Sequence, residues 1–268
     1  MFIDFLPRLL IGGAVAGVAA RHAARRGLLT PGGEYAAFAV GLAAALGGVG
    51  WLLSLAVFFY TSVVLTRWHA DEKRRRSLGM LPELRSRDAW QVLANGGVFA
   101  VGALAWAFTG NWEAGLLGFG ALAAATADTW ATEVGMALQG TPRSIVNGEP
   151  VEPGTSGGVS AQGLAAAVAG AFVIGLCAVA SFTVPFDIPR LEAVFLGGLI
   201  GTVTDSLLGA TVQSRRWCDA CQAWTERRVH TCGYRSHHRR GYRWMTNDTV
   251  NLVSAVVGGI VAMGAWIP

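Results

Sequence analysis

Charge is scarce in this chain. Only 14% of its 268 residues are Asp, Glu, Lys or Arg, where a soluble domain carries about a quarter. With 53% hydrophobic residues, that scarcity excludes an ordinary water-soluble fold. Familiar ligand-binding signatures are missing too. There is no Walker A pattern, no GxGxxG and no HExxH, so the usual P-loop, dinucleotide and zinc-protease classes fall away. No internal repeat is visible. The apolar N-terminus has neither a basic n-region nor a clear cleavage site, so it reads as a first spanning helix rather than a removed signal peptide.

What the sequence does have is a succession of stretches near twenty residues with almost no charge, the pattern of membrane-spanning helices. Eight are expected, at about 2–20, 34–48, 50–66, 89–109, 112–139, 158–182, 191–213 and 247–267, with the division at 47-GGVG-50 the least marked. The predicted fold is all-α: a polytopic transmembrane bundle forming a single integral membrane domain over 1–268. Small residues spaced four apart, such as Gly13 and Gly17, suit close helix packing in lipid.

Basic residues cluster. Nineteen of the 21 Lys and Arg follow the first, third, fifth and seventh spans, and only Arg8 and Arg190 lie elsewhere. With eight spans all four clusters fall on one side. The positive-inside rule makes that side the cytoplasm, with both termini outside and with cytoplasmic loops at 67–88, 140–157 and 214–246. The expected location is therefore a bacterial-type inner or plasma membrane. These loops set topology and attract anionic lipid; a sharper reading has them hold anionic ligands as well. No nucleic-acid partner is expected.

Ionisable groups inside spans cost roughly 2.5–3.5 kcal/mol each on insertion scales and by default mark a functional cavity. Asp128 and Glu133 sit in 126-TADTWATEVG-135 with Thr132, at the predicted cytoplasmic end of the fifth span. Asp205 and Gln213 belong to 202-TVTDSLLGATVQ-213. Asn247, Asp248 and Asn251 open the last span, and Gln91 and Asn95 open the fourth. All four sets lie at one depth. Asp128, Ala131 and Gly135 share a helix face, offering one carboxylate and two small residues to a ligand. Glu133 lies about 140° from Asp128, at 100° per residue. Asp248 is also well placed to cap its helix.

Between the fifth and sixth spans, Arg143 is followed by Gly154, Thr155, Ser156, Gly157 and Gly158, just ahead of a helix. Glycines free backbone N–H groups to face an anion, and a helix N-terminus adds favourable partial charge. An ordinary loop ending in a Ser or Thr cap is the plainer reading. Carboxylates for a divalent cation plus donors for phosphate suggest phosphoryl or nucleotidyl transfer to a lipid, because Mg²⁺ is commonly held by one or two carboxylates and substrate phosphates.

The segments QVLANGG (91–97), ATADTWATEVG (125–135), PGTSGGVS (153–160), DSLLGATVQ (205–213) and NDTVN (247–251) resemble the DUF92 family, also called TMEM19 or VTE6-like, in matching order over nearly the whole chain. That family includes the plant phytyl-phosphate kinase. The resemblance implies a CTP-dependent kinase of phytyl or geranylgeranyl monophosphate with Mg²⁺. Asp128, Ala131 and Gly135, with the glycines at 157–158, are also similar to the CTP-binding stretch of dolichol and phytol kinases and CDP-diacylglycerol synthases. Glu149 departs from the lysine often found there in the synthases. On this reading Asp128, Asp205 and Asp248 hold the metal, Glu133 supports Asp128, and Lys73, Arg74 and Arg143 neutralise phosphate. A CDP-lipid-forming cytidylyltransferase and a cation- or proton-coupled transporter are the alternatives. A transporter predicts polar groups near the midplane with access from both sides.

Cys218, Cys221 and Cys232 lie in the last basic loop with His230 nearby. A structural zinc site and free thiols are both open readings, since only one C-x-x-C pair is present. In a cytosolic loop disulfides are disfavoured. Cys177, mid-span, reads as packing.

Overall fold

A computed structural model describes residues 5–76, 86–138, 140–181 and 188–265. A short helical lead-in, α1 (Phe5–Pro7) and a π-helical turn (Arg8–Gly12), runs into α2 (Gly13–Arg25). Then come α3 (Pro31–Gly47), α4 (Val49–Arg67) and the short α5 (Ala70–Arg76). The long helices α6 (Ala89–Thr109), α7 (Trp112–Ala137), α8 (Ala161–Ser181), α9 (Ile188–Thr211) and α10 (Asn247–Ala265) complete the bundle.

Eight helical segments therefore stand where eight spans are expected. Five of them are long and apolar enough to cross a membrane: α4, α6, α8, α9 and α10. The chain is a polytopic helical membrane protein. The first segment is interrupted by its π turn and α3 has only 17 residues. Helix α7 has the length but carries Glu113, Asp128 and Glu133 among alanines and glycines. The break inside 47-GGVG-50 is real: Gly48 has φ +128°, a conformation side chains rarely tolerate.

The all-α expectation needs one correction. The loops carry two small sheets. β1 (Arg143–Ser144) pairs antiparallel with β2 (Gly158–Val159). A second sheet, ordered β4-β3-β5, is built from β3 (Arg215–Cys218), β4 (Ala223–Thr225) and β5 (His237–Arg240). Both sheets lie in segments too polar for the bilayer, where hairpin hydrogen bonds satisfy the backbone instead of a helix.

Helix α7 is the centre of the bundle. From 115 to 127 every residue but Leu117 is buried. Gly and Ala on its neighbours let backbones approach: a Cβ on Gly102 of α6 would stand 2.6 Å from the Cα of Gly118 of α7. One on Gly201 of α9 would stand 2.4 Å from the Ala124 Cβ. Trp51, Phe99 and Phe119 close the core at the other end, with ring centroids 4.3 Å apart for Trp51–Phe119 and 5.1 Å for Trp51–Phe99.

Helix ends alternate. The C-terminal end of α4, the N-terminus of α6, the C-terminal end of α7 and the N-termini of α8 and α10 meet at one end of the bundle with the C-terminus of α9. The α2–α3 turn joins them through the hydrogen bonds Arg87 N–Leu28 O and Thr30 N–Arg87 O, at 2.8 and 3.0 Å. The four basic segments connect helices at this same end. Arg190, outside them, stacks over the Trp112 ring at the far end, 3.6 Å from its centroid.

Substituting Gly102→Val should lower the melting temperature in detergent, by an amount equivalent to about 1–3 kcal/mol of overpacking. Gly264→Ala, where an added Cβ meets nothing within 4 Å, should be neutral or slightly stabilising. Equal effects would mean that α6 and α7 do not pack through these glycines.

Candidate functional site

At the end where the basic segments gather lies a cavity of about 380 Å³. Asp128 stands on α7 nine residues before its last residue, hence about 14 Å inside that end at 1.5 Å per residue. Asp205 of α9 faces it, and the two carboxyls interact directly. The Asn251 side-chain amide of α10, oriented to satisfy its neighbours, donates to Asp205 Oδ2 at 3.0 Å and to Asn247 O at 3.2 Å. Three helices thus converge through Asp, Asp and Asn.

The other predicted residues mostly join them. Gln91, Asn95, Thr132, Glu133, Gln213, Asn247 and Asp248 line the cavity, as do Gly154, Thr155, Ser156, Gly157 and Gly158. Asp248 is not the cap of α10. That role falls to Thr246, whose Oγ1 accepts from Thr249 N at 3.4 Å, and Asp248 is left to face the cavity. Gln91 has a second task. It forms a capping box with Asp88, the Gln91 N–H donating to Asp88 Oδ1 at 2.9 Å and the Asp88 N–H donating to Gln91 Oε1 at 3.1 Å.

The glycine segment folds back on α9. Gly154 and Gly157 have φ of +86° and +79°, and Gly157 packs so tightly on Ala210 that a Cβ would lie 2.4 Å from the alanine's own. Gly209 is small for the same reason. Among the described residues no acceptor pairs with the backbone N–H of Gly154 or Ser156, so these donors are available to a ligand. Ser160 caps α8 by accepting from Gly163 N at 3.1 Å. Ala131 and Gly135 line the cavity, but their smallness also admits α8: a Cβ on Gly163 would stand 2.9 Å from Ala131 O, and one on Gly135 would stand 3.1 Å from Ser160 Oγ.

Two of the three expected phosphate partners, Lys73 and Arg143, are placed differently. Lys73 is buried, and its ammonium donates to Leu65 O at 2.7 Å, Thr66 O at 3.2 Å and Glu133 Oε2 at 2.5 Å. All three of its donors are used within the protein, and it does not line the cavity. Glu133 Oε1 accepts from Thr66 Oγ1 at 2.6 Å, so this carboxylate is neutralised rather than offered to a metal. Arg143 is exposed and donates to Gly148 O at 2.9 Å. The side chain of Arg74 lies outside the described residues. The neighbouring Arg76 closes the end of α7, donating to the carbonyls of Met136, Leu138 and Gly140 at 3.0, 2.5 and 2.9 Å.

Two charged lining residues were not expected. Arg87 is the one basic side chain lining the cavity among the described residues. Burial lowers its pKa, opposed by the charge of Glu133, and a guanidinium remains protonated regardless. Glu226, from the last loop, accepts from Ser156 Oγ and from Gln213 Nε2, each at 2.7 Å. Protein atoms crowd round it although its surface opens to water, as they do for a side chain facing a cavity. Burial pushes its carboxyl above the usual range, and the Ser156 hydroxyl and Arg215 guanidinium draw it back. Asp88-x-x-Gln91 is a capping-box signature that points to Arg87 beside a helix entrance; nothing local marks Glu226.

In the same loop Cys218, Cys221, His230 and Cys232 bring their ligand atoms within 4.8 Å of one another, and this group can hold a metal ion. The Tyr234 N–H and the His230 ring hold the Cys232 thiol down to about 6.

The fold and site define a polytopic helical membrane protein with an acidic cavity at one end. Residues 14–259 match the family described as integral membrane protein DUF92, and the chain belongs to that family. It is 31% identical over 217 residues to the uncharacterized membrane protein MJ0933 of Methanocaldococcus jannaschii, covering 81% of this chain and 76% of that one. Protein PGR of Arabidopsis thaliana is 32% identical over 234 residues, 79% of this chain and 81% of its own. The chloroplastic protein VTE6 of the same plant is 26% identical over 245 residues, 88% of this chain and 64% of its own. No solved structure matches the chain.

Lys73→Met should destabilise the protein by about 3–5 kcal/mol, because it leaves the largely buried Glu133 carboxylate unpaired. The double variant Lys73→Met/Glu133→Gln should recover much of this in thermal unfolding. No recovery would mean that the pair is not what Lys73 contributes.

Proposed function

We propose that this chain is a membrane-embedded isoprenyl monophosphate kinase, passing the γ-phosphate of CTP to phytyl or geranylgeranyl monophosphate to give the diphosphate and CDP. The observation that carries the reading is the Asp128–Asp205 pair facing the glycine segment across one cavity. The distant relationship to VTE6, with the resemblance to a family that includes the plant phytyl-phosphate kinase, supports the substrate class. The cavity is at the lower end of ligand-pocket volumes, about 300–1,000 Å³. It suits the reacting phosphates, and the isoprenoid tail would extend between helices.

The donor set is all oxygen: the carboxylates of Asp128, Asp205 and Asp248. Such a set fits a hard cation. Asp128 and Asp205 would hold Mg²⁺, with Asp248 beside them; when bound it would neutralise charge on the donor phosphates. Backbone N–H groups of the glycine segment and the Arg87 guanidinium bind and orient phosphate oxygens. An oxygen of the lipid phosphate, already ionised, attacks the γ-phosphorus in line. The bond from the γ-phosphorus to the β–γ bridging oxygen breaks, and its electrons leave on CDP. No base is needed to strip a proton. Catalysis then rests on position and fixed charge.

The basic segments at the cavity end support a site at the cytoplasmic face of a plasma-type membrane. The cavity lining gathers the glycine segment, Arg87 and Glu226 at one end of the bundle, which favours an enzyme over a transporter with access from both sides.

Purified protein in detergent, with Mg²⁺, phytyl monophosphate and CTP labelled at the γ-phosphate, should yield labelled lipid diphosphate and CDP. Asp128→Asn and Asp205→Asn should each lower turnover at least about 10²-fold while keeping the membrane-inserted fold. Release of pyrophosphate with a CDP-lipid would make the protein a cytidylyltransferase instead. Turnover retained by Asp128→Asn would remove that residue from the site.

A further inference from the structure

The loop between α9 and α10 has almost no core of its own. Over 214–246 the buried residues are Cys218, Thr225, His230, Ser236 and Met245. Two of these five, Cys218 and His230, belong to the cysteine–histidine cluster, and only Met245 is a large apolar side chain. Its three strands have four, three and four residues. A sheet this small needs a staple.

The four side chains are arranged as a tetrahedral site requires. Zinc–sulfur bonds of about 2.3 Å and zinc–nitrogen bonds of about 2.0 Å give tetrahedral edges of about 3.8 Å between sulfurs and 3.5 Å between sulfur and nitrogen. Cys218 Sγ and Cys232 Sγ are 3.6 Å apart, and His230 Nδ1 is 3.2 Å from Cys232 Sγ. Two turns present them. Cys218 ends β3 and Cys221 lies in the turn that leads to β4. His230 and Cys232 share a turn closed by His230 N–Tyr234 O and Gly233 N–His230 O, each 2.9 Å. Gly233, at φ +87°, permits it. The surrounding arginines suit a site that three thiolates leave net negative.

Glu226 lies midway between the two turns, five residues after Cys221 and four before His230. It is also the loop's link to the cavity, through Ser156 and Gln213. The base of the loop is tied to the bundle by Tyr242 N–Val212 O and Ser214 N–Met245 O, at 2.9 and 2.8 Å. We propose that Cys218, Cys221, His230 and Cys232 bind one structural zinc ion, and that this knuckle pins the segment carrying Glu226 against the glycine segment. The metal thus acts as a clamp on the cavity wall. It has no open ligand position for chemistry, because four protein ligands close the tetrahedron.

The test does not depend on the kinase reading, since none of its readouts is turnover. The full chain, purified in detergent under reducing conditions without chelator, should contain one zinc per molecule by elemental mass spectrometry. Replacing zinc with Co²⁺ should give thiolate-to-cobalt charge-transfer bands and the intense visible bands of tetrahedral cobalt. Cys232→Ser should weaken metal retention. Because that variant can fail to fold, wild-type protein is also stripped by a chelator and digested briefly with trypsin. Cleavage after Arg227 and Arg228, beside Glu226, should be at least about tenfold faster in the stripped protein, as proteolysis follows the population of the open form. Added Zn²⁺ should restore protection. Protein without zinc that fails to take up Zn²⁺ or Co²⁺, or a Cys218–Cys232 disulfide found by mass spectrometry of unreduced protein, would overturn the proposal. Zinc bound without any change in cleavage would overturn the clamp.

Discussion

A helix carrying Asp128 and Glu133 can lie at membrane depth only if protein, not lipid, covers it. The whole bundle follows from that requirement. Helix α7 is sheathed by α6, α8, α9 and α10, and its residues 115–127 have almost no surface left. Such a sheath needs backbones in near contact, which explains the Gly and Ala at Gly102, Gly118, Gly120, Gly197, Gly201 and Gly258. It also explains how α7, the most buried helix, can carry Glu113, Asp128 and Glu133 among its alanines and glycines. Lipid selects for side-chain hydropathy; a protein sheath selects for smallness.

The helices were legible because hydropathy and length act locally. The expected 89–109 coincides with α6, and the last four helices differ from expectation by a few residues at their ends. The cavity was legible for a different reason. Each polar cluster sits near a helix end, and alternation of an even number of helices brings those ends together. Residues whose role depends on a distant partner were not legible. Lys73 stands in a basic run that reads as phosphate-binding, yet Glu133, sixty residues away, claims it. Glu226 reads as one acid in a basic loop. Only the return of that loop over α9 places it beside Ser156, seventy residues back.

The two small sheets belong to the same logic. A segment too polar for lipid and too short for a core must satisfy its backbone locally, and a hairpin does so in the fewest residues. The β1–β2 hairpin holds the glycine segment on Ala210 and Gly209. The three-stranded sheet returns the chain from α9 to α10 while carrying Glu226 to the cavity rim. Both irregular regions lie on the C-terminal end of α9, so their positions are not independent. A shift of that helix end would move the glycine donors and Glu226 together.

The carboxyls around the cavity are not equivalent, and the difference assigns their roles. Glu133 has Lys73 and Thr66; its charge is met inside the protein. Glu226 accepts from Ser156 and Gln213, so its oxygen serves to hold the wall. Among the described residues no cationic side chain forms an ion pair with Asp128, Asp205 or Asp248, and Asp128 and Asp205 face one another. Two facing carboxylates repel unless a proton or a cation lies between them. Among the described residues, Arg87 is the one positive charge on the same cavity. The imbalance is local and acidic within a chain whose net charge is +4. On the proposed function, an acidic pocket would reject a bare triphosphate but would accept one that arrives with a divalent cation. The basic segments just outside would draw the anion in, and the carboxyl pair would select the form that carries the metal.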